Sequence, residues 1–132
     1  MKKTSGRTKR YYEKEGYYIQ SVEKWIEATK QRLDLFHFAD LLAFKEEDNN
    51  VFLIQSCGAT GHSEHLRDLL ANEIAQAWVQ SKNRKLILIS WRELAQRDKE
   101  GKLLKNKDGS RKKQKKWTPR IEEITKDYYK EF

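Results

Sequence analysis

The sequence predicts a single α/β domain in which helices flank a mixed central sheet, with the element order αβββαβ and then a C-terminal edge strand. Three observations predict it. A chain of 132 residues has the length at which one core forms and a second does not. Its apolar residues are gathered into short runs, DLFHFADLLAF, VFLIQSC and LILISW, each bounded by charged or turn-forming residues as buried strands are. Between the second and third runs the hydrophobic spacing switches from strand to helix period.

The elements follow in order. Residues 7–15, RTKRYYEKE, predict a short polar helix that stops at Gly16, which stands in the C′ position. Residues 17–25 alternate Tyr17, Ile19 and Ser21 against Tyr18, Gln20 and Val22, a strand pattern rich in β-formers. Residues 34–44 are interrupted by Asp34, His37 and Asp40, which suits a buried strand better than an apolar helix. The cluster KEEDNN at 45–50 supplies turn chemistry, so residues 38–57 read as a hairpin of two central strands.

After GATG at 58–61, Leu66, Leu69, Leu70, Ile74, Ala77 and Trp78 recur at helical spacing and predict one long helix opened by His62. Residues 86–91 predict a strand covered on both faces. Residues 97–116 contain Gly101, Gly109 and the run Arg111, Lys112, Lys113, Lys115 and Lys116, the composition of a mobile basic loop. Residues 117–124, WTPRIEEI, alternate again and predict an edge strand, because Pro119 has no amide to donate. Trp25, Trp78 and Trp91 lie in regular apolar patterns and read as core, whereas Trp117, beside the basic run, could stack on a base.

The formal charge of +8 is unevenly placed. Residues 1–10 carry five Lys/Arg and no acid, and residues 97–116 carry ten against three, whereas residues 11–96 hold ten against thirteen. The excess therefore belongs to a basic arm and a basic loop, either reaching for a polyanion or serving only for solubility. Cys57 is the only cysteine, which excludes an internal disulfide and a Cys-rich zinc site and fits an intracellular protein. No run approaches the roughly 20 apolar residues of a membrane span, and MKKTSGRTKR is not followed by the apolar core of a signal peptide.

Metal-dependent phosphodiester cleavage needs acidic groups to hold a divalent ion at the phosphate and, as a rule, a cation near the attacking water. Asp40 and Gln55 fall on the two strands of the expected hairpin, and a turn centred near residue 48 sets them opposite one another. Asp40 lies between Phe38 and Leu41, so its carboxylate must be paired, hydrogen-bonded or metal-bound. Pairing with Arg32 and capping of a turn are the structural alternatives. Gln55 could equally satisfy its amide on backbone, and Cys57 reads as a small buried filler rather than a reactive thiol. Glu23 and Asp34 read as strand-end or exposed acids, Asp34 also offering a second carboxylate. His62 and His65 are three apart without a third ligand; at a helix N-terminus, His65 and Arg67 suit phosphate contact.

FADLLAF, followed by VFLIQSCG and a helix, resembles the second and third motifs of PD-(D/E)XK nucleases, in which an Asp on one strand precedes (Asp/Glu/Gln)-x-Lys on the next. The likeness is greatest to short phage and bacterial proteins of the Holliday-junction-resolvase-like and VRR-NUC-like groups, and runs from about residue 10 to residue 92. It implies a restriction-endonuclease-like core over 1–132, with Asp40 and Gln55 at a Mg²⁺ or Mn²⁺ ion and Glu13 as an additional carboxylate. It also implies DNA as substrate, water as nucleophile and a homodimer, the form such relatives often take. Two departures stand out. Cys57 occupies the motif's Lys position and Gln55 is neutral, so the missing charge would come from Lys45, Arg67, His62 or His65. The readings are thus a metal-dependent endonuclease, a non-catalytic nucleic-acid-binding module of the same fold, and an assembly module for an acidic partner.

Overall fold

The structure is a computed structural model that describes residues 2–95, 99–110 and 113–130. Helix α1 (Lys3–Lys14) leads into strand β1 (Tyr18–Ser21), followed by a hairpin of β2 (Lys24–Ile26) and β3 (Gln31–Leu33). Then come β4 (Leu41–Phe44), β5 (Val51–Gly58), α2 (His62–Leu70), α3 (Glu73–Trp78), β6 (Arg84–Ala95) and β7 (Lys113–Glu123). The sheet runs β1-β4-β5-β6-β7, antiparallel except for the β5–β6 pair, with β7 at the C-terminal edge. This is the expected mixed sheet with flanking helices, with the β2–β3 hairpin added. Among the described residues no helix is long and apolar enough to cross a membrane.

Two cores follow from the alternation along the strands. Leu41, Ala43, Ile54, Ile87, Ile89 and Trp91 point toward α1 and pack with Tyr12. Leu53, Cys57, Leu86 and Leu88 point the other way and pack with Leu69, Ala75 and Val79 beneath α2 and α3. Gly16, at φ +91, ends α1 as expected: its amide bonds Glu13 O, and that of Tyr17 reaches back to Tyr12 O, the paired bonds of a Schellman motif.

Several boundaries differ from the sequence reading. The basic arm 1–10 is mostly helix, not a free arm: α1 starts at Lys3 and buries Ser5 and Thr8 against the sheet. Hydrogen bonds rather than oil hold that face, with Ser5 Oγ 2.9 Å from Ser56 Oγ and Trp91 Nε1 donating to Thr8 Oγ1 at 2.9 Å. The strand expected over 17–25 divides, because Trp25 belongs to the separate hairpin and is 52% exposed, not core. The run 34–44 is a strand only from Leu41; residues 34–39 turn back on themselves through positive φ at Phe36 and His37. The long helix is two, because Asn72 accepts the amides of Ile74 and Ala75 and caps a new start. The basic loop is shorter than expected, since residues 113–116 already belong to β7. Arg111 and Lys112 lie outside the described residues.

Candidate metal centre

The β2–β3 register pairs Lys24 with Leu33, so the residues just outside it, Glu23 and Asp34, face each other at the base of the hairpin. The tight turn over 34–39, closed by a bridge between Leu35 and Ala39, then delivers Asp40 to the same place. One side-chain oxygen from each of Glu23, Asp34 and Asp40 lies within 4.8 Å of the other two.

Asp40 is fully buried. Its Oδ2 accepts from Lys2 Nζ and from the Ser56 amide, both at 2.9 Å, and from Ser56 Oγ at 3.2 Å, whereas its Oδ1 has no partner. Both carboxylate oxygens of Glu23 are also buried and unpartnered. Burial and then the Asp40 carboxylate push Asp34 up to about 7, against the opposing pull of Lys2. Three carboxyl groups thus share one ammonium. Buried anionic oxygens left without donors are costly, and a bound cation is what relieves such a set.

The path of Asp40 departs from a simple ladder. The register sets Leu41 opposite Ile54, yet it is the Asp40 amide that bonds the Ile54 carbonyl, at 2.9 Å. The ladder ends at Leu41, and Asp40 does not continue it into a pair with Gln55. Asp40 therefore addresses Ser56 and makes no hydrogen bond with Gln55, although 40 and 55 were expected to meet directly across the ladder. Gln55 is 6% exposed, and its Oε1 lacks a partner. Gln55 is in step with Leu53 and Cys57 along β5 and faces α2 and α3, whereas Ser56, whose hydroxyl Asp40 bonds, is in step with Ile54 and faces α1, so the two side chains lie on opposite faces of the sheet.

No family model matches the chain, and no curated protein or solved structure matches it either.

The other expected site residues are dispersed. Glu13 is exposed near the far end of α1, about 16 Å along the helix from Lys2 at 1.5 Å per residue, and does not join the acids. Cys57 is buried in the core with Leu53 and Leu69; burial pushes its thiol up, which makes it a filler rather than a nucleophile. His62 is locked inside, Nδ1 2.7 Å from Ser90 Oγ and Nε2 2.8 Å from Glu122 Oε1, and is free for neither metal nor phosphate. Lys45 lies over the Tyr17 ring, 4.4 Å from its centroid. His65 is half-buried and Arg67 exposed on α2. Lys113 and Lys115 belong to β7, and Lys116 is exposed on it.

The sequence reading missed Lys2 and gave Glu23 no role. Lys2 bonds Asp40 and the Ser56 carbonyl, the latter at 3.1 Å, and its charge is felt at Cys57, the motif's Lys position. The cation on Asp40 thus comes from the residue before α1 and not from β5. The one available signal was Ser5 and Thr8, spaced to bury one helix face and so to fix the residue preceding the helix.

Proposed function

We propose that the chain is a divalent-metal-dependent nuclease of the PD-(D/E)XK type acting on DNA, with its metal held by Asp40, Asp34 and Glu23 and without Gln55. The observation that carries this reading is the orphaned Oδ1 of a fully buried Asp40 beside two further acids. The donor set fits a hard cation, since all three groups are carboxyls and offer oxygens only. The chemistry that Mg²⁺ or Mn²⁺ supplies in such a site is polarisation of a phosphoryl oxygen and activation of water.

The chain's own residues do the rest. Ser56 fixes Asp40 through its amide and hydroxyl, so the carboxylate is oriented before any ligand arrives. Lys2 holds a positive charge at the edge of the acids, 34% exposed, where it can approach a phosphate or orient a water. Asp34, with its raised affinity for a proton, can keep or release one near neutral pH.

Calorimetric titration of Mn²⁺ into the wild type and Asp40→Asn, together with cutting assays on linear, single-stranded and four-way-junction DNA, tests the reading. Metal binding and metal-dependent cutting, both lost in the variant, are expected. A wild type that binds no divalent ion sinks it.

A second reading keeps DNA binding without turnover. The neutral Gln55 and the protonated, buried Cys57 favour it. It predicts metal binding with intact DNA at every incubation time.

A further inference from the structure

Arg7, Arg10, Tyr11 and Lys14 of α1 stand at the i, i+3, i+4, i+7 spacing that places them on one face of the helix. That face looks across an open groove of about 680 Å³ at Lys116 and Trp117 of β7. Four cations line this groove against one acid, Glu15. Trp117 is 38% exposed, and the Arg7 guanidinium lies 3.9 Å from its ring centroid, so the ring is held in place with its surroundings cationic. The floor is equally fixed: Trp91 is buried, bonded to Thr8, and meets Tyr11 edge to face at 5.9 Å.

We propose that this groove binds a single-stranded segment of nucleic acid, with Arg10, Lys14 and Lys116 on its phosphates and an unpaired base stacked at Trp117. The volume lies in the range of small-molecule sites and is ample for a base. Only an unstacked base has a free face to offer an indole, and a duplex would use the cations but not the ring. An acidic peptide would likewise leave Trp117 idle. The groove and the acids share one helix, because Lys2 at Asp40 lies five residues before Arg7, about 8 Å along α1. For the fate of the bound strand the proposal rests on the nuclease reading, and for its binding it does not.

The test uses the full chain in EDTA, with a fluorescent oligothymidylate of about 12 nucleotides and a duplex of equal length, read by anisotropy. Single strand should bind more tightly than duplex. Trp117→Ala should weaken single-strand binding about tenfold, and Trp117→Phe should restore most of it. Arg10→Ala, a surface change on α1, should weaken binding and flatten its salt dependence whether or not the Trp117 variant folds. Equal binding by Trp117→Ala and wild type, preference for duplex, or equal displacement by poly-glutamate would overturn the proposal. Trp117-dependent binding without cutting in Mg²⁺ sinks the nuclease reading alone, whereas cutting that ignores Trp117 sinks this one alone.

Discussion

Two buried polar networks, on different parts of the same sheet, differ in whether their charges are satisfied. At His62 every group has a partner: the ring takes Ser90 on one nitrogen and Glu122 on the other, and Tyr128 donates to the second Glu122 oxygen at 2.8 Å. Since an ionised Glu122 can only accept, Nε2 carries the proton shared with it, and Nδ1 pairs with the Ser90 hydroxyl. At Asp40 the count fails, with orphaned oxygens on Asp40 and Glu23. A closed network pins α2 to β6 and β7 and has nothing left to bind with. An open one spends stability on a site.

The largest effects should come from exchanging the roles of the two networks by mutation. Asp40→Asn should lower metal-dependent cutting by about 100-fold or more while changing the unfolding free energy of the metal-free protein by less than about 1 kcal/mol. His62→Ala should do the reverse. It opens a cavity, leaves the buried Ser90 hydroxyl without its ring partner and takes one hydrogen bond from Glu122, and should cost about 2–4 kcal/mol in urea unfolding, with Mn²⁺ affinity unchanged. Metal affinity that falls with His62→Ala as steeply as with Asp40→Asn would erase the distinction.

Lys2 sharpens it further. Its ammonium compensates Asp40 and would repel an incoming divalent cation. Lys2→Met should therefore raise Mn²⁺ affinity several-fold, on the order of 1 kcal/mol, and still lower cutting about tenfold. A parallel fall of affinity and cutting would mean that Lys2 only shapes the site.

What the sequence revealed of these regions follows from how local the determining interactions are. The Gly16 stop, the 45–50 turn and the β5 and β6 runs depend on neighbours in the chain, and all were legible. The importance of Asp40 was legible too, because a carboxylate in an apolar run demands an explanation. Its partners were not. Glu23 and Asp34 meet only because β2 pairs with β3 at one register, and Lys2 arrives only because Ser5 and Thr8 bury a polar helix face that hydropathy scores as surface. Gln55 was placed opposite Asp40 by counting from the turn, but the ladder ends at Leu41 and the Asp40 carboxylate bonds Ser56, whose side chain faces the other side of the sheet from Gln55. His62 was read as one possible source of the missing charge, because nothing near it in sequence announces Ser90 or Glu122.

The smallest effects, the pH dependences, separate the networks by sign. Asp34 is raised in the fold from 3.8 to about 7, so the folded state keeps a proton that the unfolded chain has lost between those values. Stability of the metal-free protein from this group is complete below about pH 4 and is lost as pH rises toward 7. Mn²⁺ should bind more tightly over the same interval, releasing a proton, and Asp34→Asn should flatten both slopes. Glu122 is lowered, chiefly by its hydrogen bond to His62, with Tyr128 adding to it. Its contribution is present above the ordinary glutamate range and disappears as pH falls below it. Glu122→Gln should therefore remove an acid-side loss and leave the slope near neutrality untouched. Denaturant melts of the wild type and both variants from pH 3 to pH 8 would show this as stability differences, wild type minus variant, that fall with pH for Asp34→Asn and rise with pH for Glu122→Gln; differences trending in the same direction would mean that the acid cluster is as closed as the histidine network.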